Sequence, residues 1–255
     1  MTFDHIGVFF GVDALYPFRL IGRIALPLFI FLSVEGALKT SNKKKYILRL
    51  SAFAIGAAIV LTIFSFLSPL LKEIAYGSGN IFIDLLLIVL IITILESQNN
   101  KIKPLIALPI IYMIVSGVLL KLEGCACNGY YSWFPPGIRL QYGYYSLFLG
   151  MGFYLAKKIA PKVSPMCVDP EVEQIASNLL SILVLMISTV LFVGINTLFG
   201  AKYANHLDSV QTYAILAGVP ILFYSGKKGY SAKWFKIAYY LYYPLHLVII
   251  ALIFM

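Results

Sequence analysis

Residues 80–97 read NIFIDLLLIVLIITILES, an apolar run broken near its start by Asp84 and closed by Glu96. A bilayer core about 30 Å thick is crossed by about 20 predominantly apolar helical residues. Strands of a membrane barrel would alternate apolar and polar side chains. This run does not alternate, so it predicts a membrane helix that carries a carboxylate at depth. Comparable stretches recur at 21–38, 47–71, 104–121, 137–156, 175–199, 209–225 and 237–255. The expectation is an all-α, polytopic membrane helix bundle with eight full spans. Met1–Phe10 is a further apolar piece, too short to span alone.

Composition points the same way. The chain has 255 residues, 60% hydrophobic and 12% charged, with a mean hydropathy of +0.88. That charged share is about half of what a soluble domain carries. A soluble enzyme built from it would expose too much apolar surface, and disorder has the opposite signature. Three cysteines are too few for a disulfide framework. Cys125 and Cys127 have no His or further Cys nearby to complete a zinc site, so no metal is implied. P-loop, dinucleotide-binding, H-E-x-x-H and G-x-S-x-G patterns are lacking. No linker or charge block divides the sequence, which reads as one integral membrane domain over residues 1–255.

Orientation follows from the basic residues. Lys39, Lys43, Lys44, Lys45 and Arg49 fall in one connection, and Lys101 and Lys103 in the next but one. Lys157, Lys158 and Lys162, then Lys227, Lys228, Lys233 and Lys236, continue the alternation. The opposite connections hold Lys72, Lys121 and Lys202, while Arg19, Arg23 and Arg139 sit at or just inside span ends. The Lys-rich side is therefore expected to be cytoplasmic and the C-terminus outside. The net charge of +9 then needs no nucleic acid or acidic partner, only the bilayer. The same alternation makes Met1–Phe10 the outer half of a short or truncated N-terminal helix.

Charges at membrane depth cost several kcal/mol and are functional candidates by default. The set is Asp4, His5, Arg19, Arg23, Glu35, Asp84 and His246, with Arg139 near an outer end. Each could instead pair with another to lock helices together. A carboxylate beside an imidazole fixes its tautomer and raises its basicity, as a general base requires, so Asp4–His5 is the sharpest pair. Adjacent helical residues point about 100° apart, so Asp84 is an equal candidate to orient His5. His246 lies near the middle of the last span, where Pro244 frees a backbone carbonyl. Arg19 and Arg23 are a helical turn apart and suit phosphate or carboxylate recognition, or an ion pair with Asp4, Asp13 or Glu35. Glu35-Gly36 would allow a backbone to approach a ligand closely. The tyrosines at 142, 144, 145, 239, 240, 242 and 243 read first as interfacial belts.

Several segments together resemble one family. Asp4-His5-Ile6-Gly7 and the stretch from Arg19 to Phe31, RLIGRIALPLFIF, are similar to the opening of TraX-type membrane proteins. The similarity continues through Glu35-Gly36, the KYILRL run from Lys45 to Leu50 and Gly79-Asn80-Ile81-Phe82, and returns in YLYYPLHL from Tyr240 to Leu247. The middle, roughly 104–136 and 160–205, matches only in character. TraX of conjugative plasmids N-acetylates pilin, and its family resembles a wider group of transmembrane acyltransferases. The resemblance implies an acetyl-CoA-dependent acyltransferase of the bacterial cytoplasmic membrane, with acetyl-CoA as donor and a peptide or sugar as acceptor. His5 would be base or transient acyl carrier, oriented by Asp4. Arg19, Arg23, Glu35, Asn80, Asp84 and His246 would bind donor or acceptor. The family usually has an apolar helix leading into the Asp-His pair, and here three residues precede it. The alternative from the residues alone is a proton-coupled transporter using Asp and His as a relay.

Overall fold

The computed structural model describes residues 16–67, 71–72, 75–76, 79–126, 134–163, 170–199 and 209–227, with scattered positions between 229 and 249. Every element among them is helical: α1 (Tyr16–Gly22), α2 (Ala25–Lys39), α3 (Lys43–Leu67), α4 (Ile81–Leu95), α5 (Ala107–Ala126), α6 (Tyr144–Val163), α7 (Pro170–Phe199) and α8 (Gly218–Leu222). Short 3₁₀ turns at Asn100–Ile106, Pro136–Ile138 and Ser209–Ala217 precede α5, α6 and α8. Among the described residues, four stretches are long and apolar enough to cross a membrane: Arg19–Lys39, Lys43–Leu67, Asn100–Leu120 and Pro170–Leu198. Ile81–Leu95 and Val210–Leu222 are apolar but shorter.

The chain clusters into two compact units. One comprises Met1–Phe29, Gly152–Thr197 and Asp208–Met255; the other comprises Ile30–Met151 and Leu198–Leu207. In the second unit α4 is the most enclosed helix, with Ile81, Phe82, Leu85, Leu87, Ile88, Val89, Ile91 and Ile92 all buried. A helix apolar on all sides belongs in the middle of a bundle, and α3 packs along it. The buried stripe of α3 is Leu50, Ala54, Ala57, Leu61 and Phe64. Its outer face leaves Leu48, Ile55, Ile59, Ile63 and Phe66 exposed, as suits a lipid-facing surface.

The entry to α3 is set by charge as much as by packing. Asn42 Oδ1 accepts the N–H of Lys45 at 2.8 Å and caps the helix start. Lys43, Lys44 and Lys45 fill the first turn, where the helix dipole favours acids. Lys43 turns back and donates its Nζ to the Ala37 carbonyl at 2.7 Å, satisfying the end of α2.

One expected span starts elsewhere. The apolar pattern predicts a span over 137–156, whereas α6 begins at Tyr144. Pro135 and Pro136 carry no N–H, and Gly143 adopts a left-handed φ of +53°, so residues 134–143 do not continue as helix.

In the first unit, α7 and α8 are joined by Asn178. Its Nδ2 donates to the Leu222 and Tyr224 carbonyls at 3.2 and 2.8 Å, and its Oδ1 accepts from Gln174 at 2.8 Å. Gly152 of α6 lies so close to Val184 of α7 that a Cβ would overlap the valine methyl. Small residues permitting such approach are the usual adhesive between membrane helices.

Candidate functional site

Polar groups buried among apolar helices form separate clusters in the two units. In the second unit the cluster is built on the start of α4. Asn80 caps that helix: its Oδ1 accepts the Phe82 N–H at 3.2 Å. Its Nδ2 donates to the Ala54 carbonyl of α3 at 2.8 Å and to the Gly137 carbonyl at 2.9 Å. Its own N–H donates to the Arg139 carbonyl at 2.8 Å.

One turn into α4, Asp84 is fully buried. Its Oδ2 accepts the Gln141 N–H at 2.8 Å, and its Oδ1 accepts the Gly143 N–H at 2.9 Å and the Ser146 hydroxyl at 2.6 Å. Backbone donors aimed at a carboxylate give short, strong, charge-assisted bonds. Arg139 completes the cluster. Nε and Nη2 both donate to the Phe134 carbonyl, at 2.9 and 2.7 Å, while the guanidinium lies 4.7 Å from the Tyr76 ring centre.

Two glycines admit this loop. A Cβ on Gly79 would lie 2.5 Å from Gln141 Cα, and one on Gly137 would lie 2.5 Å from the Ala58 carbonyl oxygen. The non-helical segment therefore rests against the middle of α3, a location tolerated at membrane depth only where protein encloses the backbone.

Glu35 lies elsewhere in the same unit, near the Lys-rich end of α2. It is buried, and Oε2 pairs with Lys39 Nζ at 3.2 Å, one turn on. Tyr46 of α3 stands over Gly36, where an added Cβ would meet its hydroxyl at 2.9 Å.

The first unit holds Arg19, Arg23 and His246. Arg23 occupies the break between α1 and α2, its N–H shared between the Arg19 and Leu20 carbonyls at 3.3 Å each. Its side chain is 3% exposed and Nη1 donates to Gln211 Oε1 at 3.4 Å. Arg19 is half-buried one turn earlier. His246 is buried, its Nδ1 is 2.9 Å from the Tyr242 carbonyl, and its ring stacks on Tyr242 at 5.3 Å. A carbonyl can only accept, so Nδ1 carries the proton and Nε2 is the basic nitrogen of the neutral ring.

Of the residues singled out from sequence, Asn80 and Asp84 are brought together, and Arg19 and Arg23 are neighbours. Asp4 and His5 lie outside the described residues. Gln141, Ser146 and Gln211 were not singled out. Glutamine inside an apolar run, at 141 and 211, was the available signal, and Pro135-Pro136-Gly137 marked the irregular backbone beside one of them.

These helices and their enclosed polar clusters define a polytopic helical membrane protein. The chain matches the family described as TraX protein over residues 1–254, and it belongs to that family. No curated protein and no solved structure matches it.

Proposed function

We propose that this protein is an acetyl-CoA-dependent acyltransferase. It would move acetyl from cytoplasmic acetyl-CoA to an amine or hydroxyl of an acceptor at or across the bacterial cytoplasmic membrane, through a bundle of eight spans with the C-terminus outside. The observation that carries this reading is membership, over residues 1–254, of a family associated with pilin acetylation. Buried Arg23 and His246 in the first unit support it. Acyl transfer needs a base for the acceptor proton and cations for developing negative charge.

In the proposed step the acceptor nitrogen or oxygen attacks the thioester carbonyl. A C–N or C–O bond forms, the C–S bond breaks, the acceptor proton passes to His5, and CoA leaves as the thiol once protonated. Asp4 orients His5. Arg19 and Arg23 hold charged groups of donor or acceptor, and His246 offers Nε2 to the same chemistry. Glu35, Asn80 and Asp84 belong to the binding side of this proposal, the last two by shaping the loop they hold.

The test is the melting temperature of detergent-purified protein with acetyl-CoA, free CoA and ATP. A ligand at about 100 times its Kd adds about 2.7 kcal/mol to stability. A shift with acetyl-CoA and CoA but not ATP is expected, followed by loss of transfer, with retained acetyl-CoA binding, in His5→Ala. No acetyl-CoA shift would move the reading to a proton-coupled transporter.

A further inference from the structure

The loop before α6 has nearly closed hydrogen-bond accounts. Six consecutive carbonyls, from Phe134 to Arg139, each accept a bond: from Arg139, Ile138 N–H, Arg139 N–H, Asn80 Nδ2, the Tyr112 hydroxyl and Asn80 N–H. The N–H groups of Ile138, Arg139, Gln141 and Gly143 are likewise paired. Asn80, Asp84 of α4 and Tyr112 of α5 supply the partners from outside the loop, which is how irregular backbone survives among apolar helices. Against that background one atom stands out. Gln141 is 5% exposed, and its Oε1 is buried with no partner among the described residues.

A stranded carbonyl oxygen costs about 1–3 kcal/mol. An apolar side chain of the same length would avoid that cost. The backbone at Gln141 is fixed: Asp84 holds its N–H, Gly79 lies against its Cα, and Leu140 beside it packs with Leu87 and Met113. The main chain at Gln141 is thus held, and the complement its side-chain oxygen lacks is a hydrogen-bond donor.

We propose that Gln141 receives the hydrogen-bond donor of a ligand: the N–H of an amine or the O–H of a hydroxyl. Resting on the acyltransferase reading, that ligand is the acetyl acceptor, and Asp84 is the positioning residue that holds the Gln141 main chain.

The experiment compares the full chain in detergent with butylammonium, methyl glucoside and butyltrimethylammonium, reading the melting shift. The first offers N–H donors, the second O–H donors, and the third the charge of the first with no donor. A donor probe should raise the melting temperature while butyltrimethylammonium does not. Gln141→Met should abolish that shift yet keep the shift with acetyl-CoA. Gln141→Glu retains an acceptor oxygen and should keep the donor response, while Gln141→Ala, which also lacks the acceptor, substitutes for the Met variant should that one fail to fold. Which donor probe responds assigns the acceptor to the amine or the hydroxyl class. A donor-probe shift equal in Gln141→Met and wild type, or absent from wild type, overturns the proposal. A Gln141-dependent shift in a protein that ignores acetyl-CoA overturns the acyltransferase reading and leaves the binding role standing.

Discussion

Asp84 and Gln141, 57 residues apart in sequence, are joined carboxylate to backbone by a buried hydrogen bond of 2.8 Å. The same carboxylate takes the Gly143 N–H and the Ser146 hydroxyl, so one side chain on α4 both holds the loop and anchors the first turn of α6. Asp84→Asn keeps the shape and one acceptor oxygen and should cost about 2 kcal/mol. Asp84→Leu strands the buried Gln141 N–H and the part-buried Gly143 N–H and should cost about 4 kcal/mol, near the upper range for a single change. Thermal melting in detergent separates the two; equal, small losses would mean the loop is held by other contacts.

The glycines divide by what lies against them. Gly79→Ala and Gly137→Ala place a Cβ 2.5 Å from backbone atoms that cannot swing away, and each should cost about 3 kcal/mol through overpacking. At Gly36 the nearest atom is the end of the Tyr46 side chain, which can rotate, so alanine there should cost less. Gly56 of α3 has nothing within 4 Å of an added Cβ, and Gly56→Ala should gain up to about 1 kcal/mol from helix propensity. Melting of the four variants in this rank order checks the packing directly.

How much of this could be read beforehand differs between helices and loop. The long apolar runs declared α2, α3, α5 and α7, because lipid-facing and core-facing residues are alike in type and length alone identifies the helix. The run over 137–156 misled, since hydropathy does not register that two prolines and a left-handed Gly143 break the helix. Asp84 was legible as an expensive residue at depth. Its partners were not, because two of the three are backbone N–H groups that any residue would supply. Gln211 beneath Arg23 was hidden for a related reason: a neutral amide leaves no mark on a charge census.

The orientation proposed from the basic residues has its own check. With Cys125, Cys127 and Cys167 changed to serine, a cysteine at Lys158 should react with a membrane-impermeant maleimide only after the cells are opened. A cysteine at Lys202 should react on intact cells. The reverse pattern would invert the bundle, and labelling of both positions from one side would remove an odd number of spans from between them.

Arg139 tests whether the loop needs a planar cation or only a positive charge. Its Nε and Nη2 converge on the single Phe134 carbonyl, and its flat face meets the rings of Tyr76 at 4.7 Å and Phe134 at 5.6 Å. A lysine ammonium can approach one of these partners but cannot bond the carbonyl twice while stacking between two rings. Arg139→Lys should therefore lose about 1–2 kcal/mol of stability although charge is conserved. Arg139→Met should lose more, since the Phe134 carbonyl is then left without either donor from this side chain. If lysine matches arginine in melting temperature, charge alone holds the loop entrance, and the second hydrogen bond to the Phe134 carbonyl contributes nothing measurable.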